Sequence, residues 1–366
     1  MKINEVKVDA YKWEIPDMPW IGDVPALKEP GIGYMVRVLT DEGIEGDCTI
    51  PGSVIGVSES VARLRDLVVG QDPLNREKIW QTMIRVERHR EYHVAVIGAV
   101  DVALWDLGGK IANLPVYKLM GGYRDKVLAY ATSLMHGTAE EYIEEALDCK
   151  ARGYTGYKVH PLGDYKVNIE LFKAVRKAVG DDMNLMMDAC GAYNHETAMK
   201  VGRVLEELNY YWYQNPLLDH DIDGYAQLAR ALDIPIAGTE RLPGSCNTIS
   251  EYIRKRAVDI VRGDVRFKGG ITPLKKMATL AEAFGMNIEI HTTMNPLMNV
   301  ANLHVLCSIQ NSNFHELLQP EDKQLYAVEP WEHIDQEGYI HVPQKPGLGL
   351  EIDWGYISKH PADAKC

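Results

Sequence analysis

The sequence predicts an α/β protein built on a parallel β/α barrel, with a smaller α+β region ahead of it. Three observations carry this. From about Val127, strand-like and helix-like stretches alternate in units of about 25 to 30 residues, giving eight strand candidates before the alternation stops near Gln319. No Gly-rich phosphate turn opens any unit, which argues against a doubly wound sheet. Asp188, Gln214 and Glu240 follow three short strand-like segments at two equal spacings of 26 residues. One strand-loop-helix-loop unit has that length, so the three side chains fall at the C-terminal ends of three successive parallel strands. Such barrels hold their sites there, and hard oxygen ligands from neighbouring strands suit Mg²⁺.

The elements follow in order. Residues 2 to 12 and 32 to 40 alternate as half-buried strands, and Asp41-Glu42-Gly43 turns the second into a third over Ile44 to Thr49. Pro16 to Pro30 reads as an exposed loop, and helical patterns cover roughly 58 to 70, 75 to 90 and 94 to 112. The alternating part opens with a strand at Val127 to Ala131. A helix capped by Thr138 with Glu141 and ended by Gly153 comes next, followed by a strand at Tyr154 to His160. A helix over Asp164 to Val179, the strand into Asp188 and a helix capped by Asn194 continue the pattern. Further strands are expected at Tyr210 to Tyr213, Ile234 to Ala237, Val258 to Val261, Asn287 to Ile290 and Asn313 to Leu317. Beyond them, Gly338 to Pro343 and Pro346 to Leu350 read as a strand and a turn rejoining the N-terminal sheet. The expected division is 1–125, 126–320 and 321–366.

Composition narrows the function classes. A net charge of −13, with no basic run interleaved with aromatics, argues against nucleic acid or anionic membrane as partners. Neither a signal-like start nor a run of about 18 apolar residues is present, so the expected address is cytoplasmic. Six scattered cysteines without CxxC spacing point to free thiols.

Further chemistry-bearing residues lie at strand ends. Lys158 and His160 alternate on one strand and so share a face; the plain alternative for Lys158 is a lysine snorkelling to the rim. Asp264 and His291 end adjacent strands, where the carboxylate fixes the tautomer of the imidazole and raises its basicity, as a general base or acid requires. Glu316 ends the last strand as a partner for a substrate oxygen, or as a rim salt bridge. Arg88-His89-Arg90 and His93 read as a solvated helix end, and Gly121-Gly122 and Gly269-Gly270 as turns. Trp20 and the loop Pro51-Gly52-Ser53-Val54 are placed to cap a pocket.

These residues resemble the enolase superfamily, in its mandelate racemase-like branch, over nearly the whole chain. The resemblance rests on Ala103-Leu104-Trp105-Asp106 ahead of Leu114 to Gly122, on Met187-Asp188, on Asp264 with Gly269-Gly270, and on Pro346-Gly347-Leu348-Gly349. It implies a (β/α)7β barrel under an α+β capping domain formed by both termini. It also implies one Mg²⁺ per subunit on Asp188, Gln214 and Glu240, with abstraction of the proton α to a carboxylate. Lys158 and His160 fall on the branch's Lys-x-Lys pair, Asp264 and His291 on its dyad, and Glu316 on the acid that donates to the substrate carboxylate. Trp20, Ser133 and Cys190 are the expected substrate contacts, and a homo-oligomer from dimer to octamer is expected.

Three residues depart from that pattern. Gln214-Asn215-Pro216 stands where Glu-Glu-Pro is usual, Cys190 where Asn is usual, and His160 where a second lysine is usual. Gln214 lowers the protein's charge at the metal from −3 to −2, so affinity should fall. The leading expectation is a Mg²⁺-dependent lyase that dehydrates a sugar acid to a 2-keto-3-deoxy acid. The alternatives are a racemase, epimerase or cycloisomerase, and a degenerate barrel that only binds a carboxylate.

Overall fold

The structure, a computed structural model, describes residues 1–13, 31–90, 92–292, 295–321 and 326–362. Strands β1 (Ile3–Trp13), β2 (Gly31–Thr40) and β3 (Glu45–Pro51) form an antiparallel meander in which Val36 lies opposite both Val8 and Cys48. Helices α1 (Val57–Val68), α2 (Arg76–Arg90), α3 (Val94–Ala112) and the single turn α4 (Val116–Leu119) follow. Helix α3 is apolar on nearly every side and lies between the small sheet and the barrel. His93, expected in a solvated helix end, is exposed and caps α3, its ring accepting from the Ala95 N–H at 3.1 Å.

The barrel runs β4 (Lys126–Thr132), α5 (Ala139–Arg152), β5 (Gly156–Val159), α6 (Tyr165–Val179), β6 (Asn184–Asp188), α7 (His195–Glu207), β7 (Trp212–Gln214) and α8 (Ile222–Ala231). It continues through β8 (Ile236–Gly238), α9 (Cys246–Lys255), β9 (Ile260–Gly263), α10 (Val265–Lys268), α11 (Ile271–Ala283), β10 (Asn287–Ile290), α12 (Pro296–Leu306) and β11 (Phe314–Leu318). All eight strands are parallel, and β11 pairs with β4 to close the ring. The expected capping box is present at Thr138 and Glu141, and Asp164 and Asn194 cap α6 and α7. Tyr130, Met186, Trp212, Ile260 and Phe314 fill the interior below the site as one apolar plug.

The tail departs from expectation. Strand β12 (Tyr339–His341) pairs antiparallel with β4, not with the N-terminal sheet, because the chain leaving the barrel passes its first strand before it reaches the cap. The return to the cap comes later: Leu348 N–H donates to Asp106 at 2.7 Å, and Lys12 N–H donates to the His360 carbonyl at 2.7 Å, past helix α13 (Trp354–Lys359). Gly347 sits in that turn at φ 76°, where an added Cβ would meet the Asp106 carboxylate. The expected Pro16 to Pro30 loop, with Trp20, lies outside the described residues. Among the described residues no helix is long and apolar enough to cross a membrane.

Candidate active site

The C-terminal ends of the barrel strands converge on one polar cluster. Lys158 on β5, Asp188 on β6, Gln214 on β7, Glu240 just after β8, Asp264 after β9 and Glu316 on β11 are all buried, and His160 and His291 are partly so. Three residues beside it have positive φ without being glycine: Cys190 (52°), Asn215 (42°) and Thr239 (81°). Each lies within two positions of Asp188, Gln214 or Glu240, so backbone strain collects where these side chains are aimed. Lys268 secures the Thr239 loop from below, its Nζ donating to the Thr239 carbonyl at 2.7 Å and the Leu242 carbonyl at 2.6 Å; burial brings this lysine down to about 8.

Glu316 is the centre of the ion-pair network. Lys158 Nζ approaches one carboxylate oxygen at 2.6 Å and Arg262 the other at 2.6 Å. Burial pushes the Glu316 carboxyl up, but Lys158 and Arg262 outweigh it and hold the group well below the usual carboxylate range. Glu316 is therefore ionised and acceptor-only, not the proton donor that the resemblance implies. Lys158 is no rim lysine: its side chain is 1% exposed and is committed to Glu316. Arg262 lies wholly inside the barrel, near Tyr130 Oη at 3.3 Å and Glu240 at 3.6 Å. Sequence reading missed it, although an arginine inside the apolar run Val258 to Val261 and its continuation is the same signal that singled out Lys158.

Asp264 and His291 form the expected dyad, His291 Nδ1 standing 2.8 Å from Asp264. Asn302 Nδ2 and the Arg266 N–H hold the other Asp264 oxygen at 3.0 and 2.8 Å. With Nδ1 donating to the carboxylate, Nε2 carries the lone pair and faces Glu240 at 3.5 Å. His160 is also held at Nδ1. Ser133 Oγ donates to the Lys158 carbonyl at 3.1 Å, so it accepts from His160 Nδ1–H at 3.3 Å, and Nε2 faces Asp188 at 3.7 Å. Burial pushes the Asp188 carboxyl up, but His160 and Lys158 outweigh it and hold it well below its usual range.

The expected metal ligands lie together, but the middle one presents the wrong atoms. Gln214 Nε2 donates to Asp188 Oδ2 at 2.7 Å and to Glu240 Oε2 at 2.8 Å, while its Oε1 accepts from Lys158 at 3.3 Å. Amide orientation is decided by such partners: turning the group over would face N–H against the Lys158 ammonium and carbonyl oxygen against two carboxylates. A metal ligand must offer a lone pair where this amide offers two hydrogens. Asp188, Gln214 and Glu240 as arranged therefore do not fit Mg²⁺.

Known proteins agree with this architecture. Residues 141–356 match the enolase C-terminal domain-like model, and residues 33–121 match the mandelate racemase / muconate lactonizing enzyme N-terminal domain. The chain belongs to the mandelate racemase / muconate lactonizing enzyme family. Arabinonate dehydratase of Saccharolobus solfataricus is 33% identical over 81% of either chain. L-talarate/galactarate dehydratase of Salmonella typhimurium is 30% identical over 81% of this chain and 74% of its own. The structure of D-glucarate dehydratase from Agrobacterium tumefaciens, complexed with magnesium, superposes with a TM-score of 0.89 at 32% identity over 98% of this chain and 99% of that one. The relatives are thus lyases of the dehydratase kind, with cycloisomerases also among them. Magnesium is typical of the family, which makes the Gln214 arrangement a departure within it.

Proposed function

We propose that the chain dehydrates a sugar acid to the 2-keto-3-deoxy acid, with His291 as the proton-transfer residue. The observation that carries this is the Asp264–His291 pair at 2.8 Å, which leaves Nε2 with a lone pair in the barrel mouth. His291 takes the proton from the α-carbon. It then returns a proton to the hydroxyl leaving the neighbouring carbon, so that water departs and the enol relaxes to the ketone. Asp264 stabilises the imidazolium between the two transfers and keeps the ring oriented. Lys158 and Arg262 supply fixed positive charge below the substrate, and Lys268 and Arg241 stand by Glu240, against the carboxylates of Asp188, Glu240, Asp264 and Glu316.

A second reading, epimerisation, draws on His160, whose Nε2 also faces the mouth and offers a second proton-transfer group. Both readings are tested by incubating a panel of aldonic and aldaric acids in deuterated water. A 2-keto product carrying deuterium at C3 is the expected result; deuterium at the α-carbon of the recovered acid without keto product would replace dehydration by epimerisation, and neither from any acid would overturn both.

A further inference from the structure

Two of the three departures from the family pattern meet at one point, and the third stands beside it. His160 Nε2, a carboxylate oxygen of Asp188 and the Cys190 thiol lie within 4.8 Å of one another, and Gln214 holds the neighbouring position with an amide N–H pair. We propose that the barrel mouth binds a borderline divalent cation of the Zn²⁺ class on His160, Asp188 and Cys190, beside the position that magnesium takes in the family. Three lines of geometry support it.

The ligand set is nitrogen, oxygen and sulfur, which suits Zn²⁺, Co²⁺ or Fe²⁺ and not Mg²⁺. A tetrahedral ion with bonds of about 2.0–2.3 Å separates its ligands by roughly 3.4 Å. His160 Nε2 and Asp188 Oδ2 stand 3.7 Å apart, so a small adjustment accommodates the ion.

The donors are also oriented for it. With Ser133 accepting from His160 Nδ1–H, Nε2 is left to face Asp188 Oδ2 at 3.7 Å, where a cation would take the place of the imidazolium proton between them. Ser133 is thereby a positioning residue of the kind that fixes the tautomer of metal-bound histidines. On the other side, the Cys190 N–H donates to Asp188 Oδ1 at 2.8 Å from a left-handed backbone at φ 52°. This ties the thiol-bearing residue to the carboxylate through Oδ1, while Oδ2, which accepts from Gln214 Nε2 at 2.7 Å, has its second lone pair for the ion.

Finally, the ligand count suits a working site: three protein ligands leave a coordination position open to a substrate oxygen. His160 would then be a ligand, leaving His291 as the proton-transfer group. The inference goes beyond the reaction reading, and its test uses no substrate, so either can fail alone.

The test titrates the metal-free full chain with Co²⁺ and follows the thiolate-to-cobalt charge-transfer band in the near ultraviolet, with calorimetry of Zn²⁺ and Mg²⁺ alongside. The expected result is a band that Zn²⁺ removes and excess Mg²⁺ does not. In Cys190→Ser the band should be absent and Zn²⁺ affinity lower by more than about a hundredfold, while Ser133→Ala should weaken Zn²⁺ by about ten- to a hundredfold. Cys190 is exposed, so its serine variant should keep the native melting curve, which is recorded as a fold control. Absence of the band, a band that survives Cys190→Ser, or displacement of Co²⁺ by Mg²⁺ would each overturn the proposal.

Discussion

Replacing Gln214 by glutamate tests the central claim about the metal position. In the natural chain the amide donates to Asp188 at 2.7 Å and Glu240 at 2.8 Å, two hydrogen bonds to charged acceptors worth about 1.5–3 kcal/mol each. The variant loses both and brings a third carboxylate against them. At those separations and an effective dielectric of about 20, each new repulsion is about 6 kcal/mol, and attraction to Lys158 at 3.3 Å returns about 5. Side-chain rearrangement relieves much of the remainder, so the loss of stability without metal should be at least about 3 kcal/mol. For a chain of 366 residues that lowers the melting temperature by roughly 4 °C or more. Millimolar Mg²⁺ should restore the variant, since three carboxylates now offer lone pairs, and should barely move the natural chain. Differential scanning calorimetry with and without Mg²⁺ reads this directly. An equal rise in melting temperature for both proteins would refute the reasoning, because it would mean that the Gln214 amide turns over at little cost.

Three further outcomes follow from the same structure. Asp264→Asn keeps a side chain able to cap α10 but loses the charge beside His291, and should lower α-proton exchange by roughly 10²–10⁴ at unchanged melting temperature. An exchange rate within a few-fold of the natural chain's would remove His291 from its role. Arg262→Met strips one of the two cations from Glu316 inside the barrel and should cost about 3–5 kcal/mol in urea unfolding; a loss below about 1 kcal/mol would show the network to be dispensable. Glu332 is buried with Asn299 as a hydrogen-bond partner, and burial pushes its carboxyl up to about 8. Its folded value lies above its unfolded one, so its contribution to stability is present below the ordinary glutamate range and is lost as pH rises towards about 8. Glu332→Gln should therefore flatten the fall in melting temperature between about pH 5 and pH 8, and identical slopes for the two proteins would contradict the assignment.

The barrel was legible because its period is set by covalent length: a strand, a helix and two loops return the chain to the same rim, and Asp188, Gln214 and Glu240 mark three returns. Asp264 and His291 were legible for the same reason, each ending a strand next to the other. What escaped was any property set by a neighbour distant in sequence. Which way the Gln214 amide points depends on Lys158, 56 positions earlier. Glu316 loses its expected role as a donor only because Arg262 and Lys158 reach it from other strands. Strand β12 shows another limit, since an alternation three residues long fits either sheet, and only the path of the chain selects β4. Strands β7 and β8 start two residues later than Tyr210 and Ile234, because those apolar residues pack outside the ladder and cannot be told from strand by hydrophobicity alone.

Helix α3 has a consequence for how this molecule can be cut and moved. Asp101 on it accepts from Thr272 N–H at 2.9 Å and Thr272 Oγ1 at 2.7 Å on the barrel side, while Asp106 accepts from the Asp47 N–H at 3.0 Å on the cap side. The helix serves both halves as one beam. A cap mounted this way cannot swing like a door, so any opening for substrate has to come from loops at the rim. For the same reason a barrel expressed without its first 125 residues would bare the surface that α3 covers and should aggregate, whereas the intact chain should melt in one cooperative step.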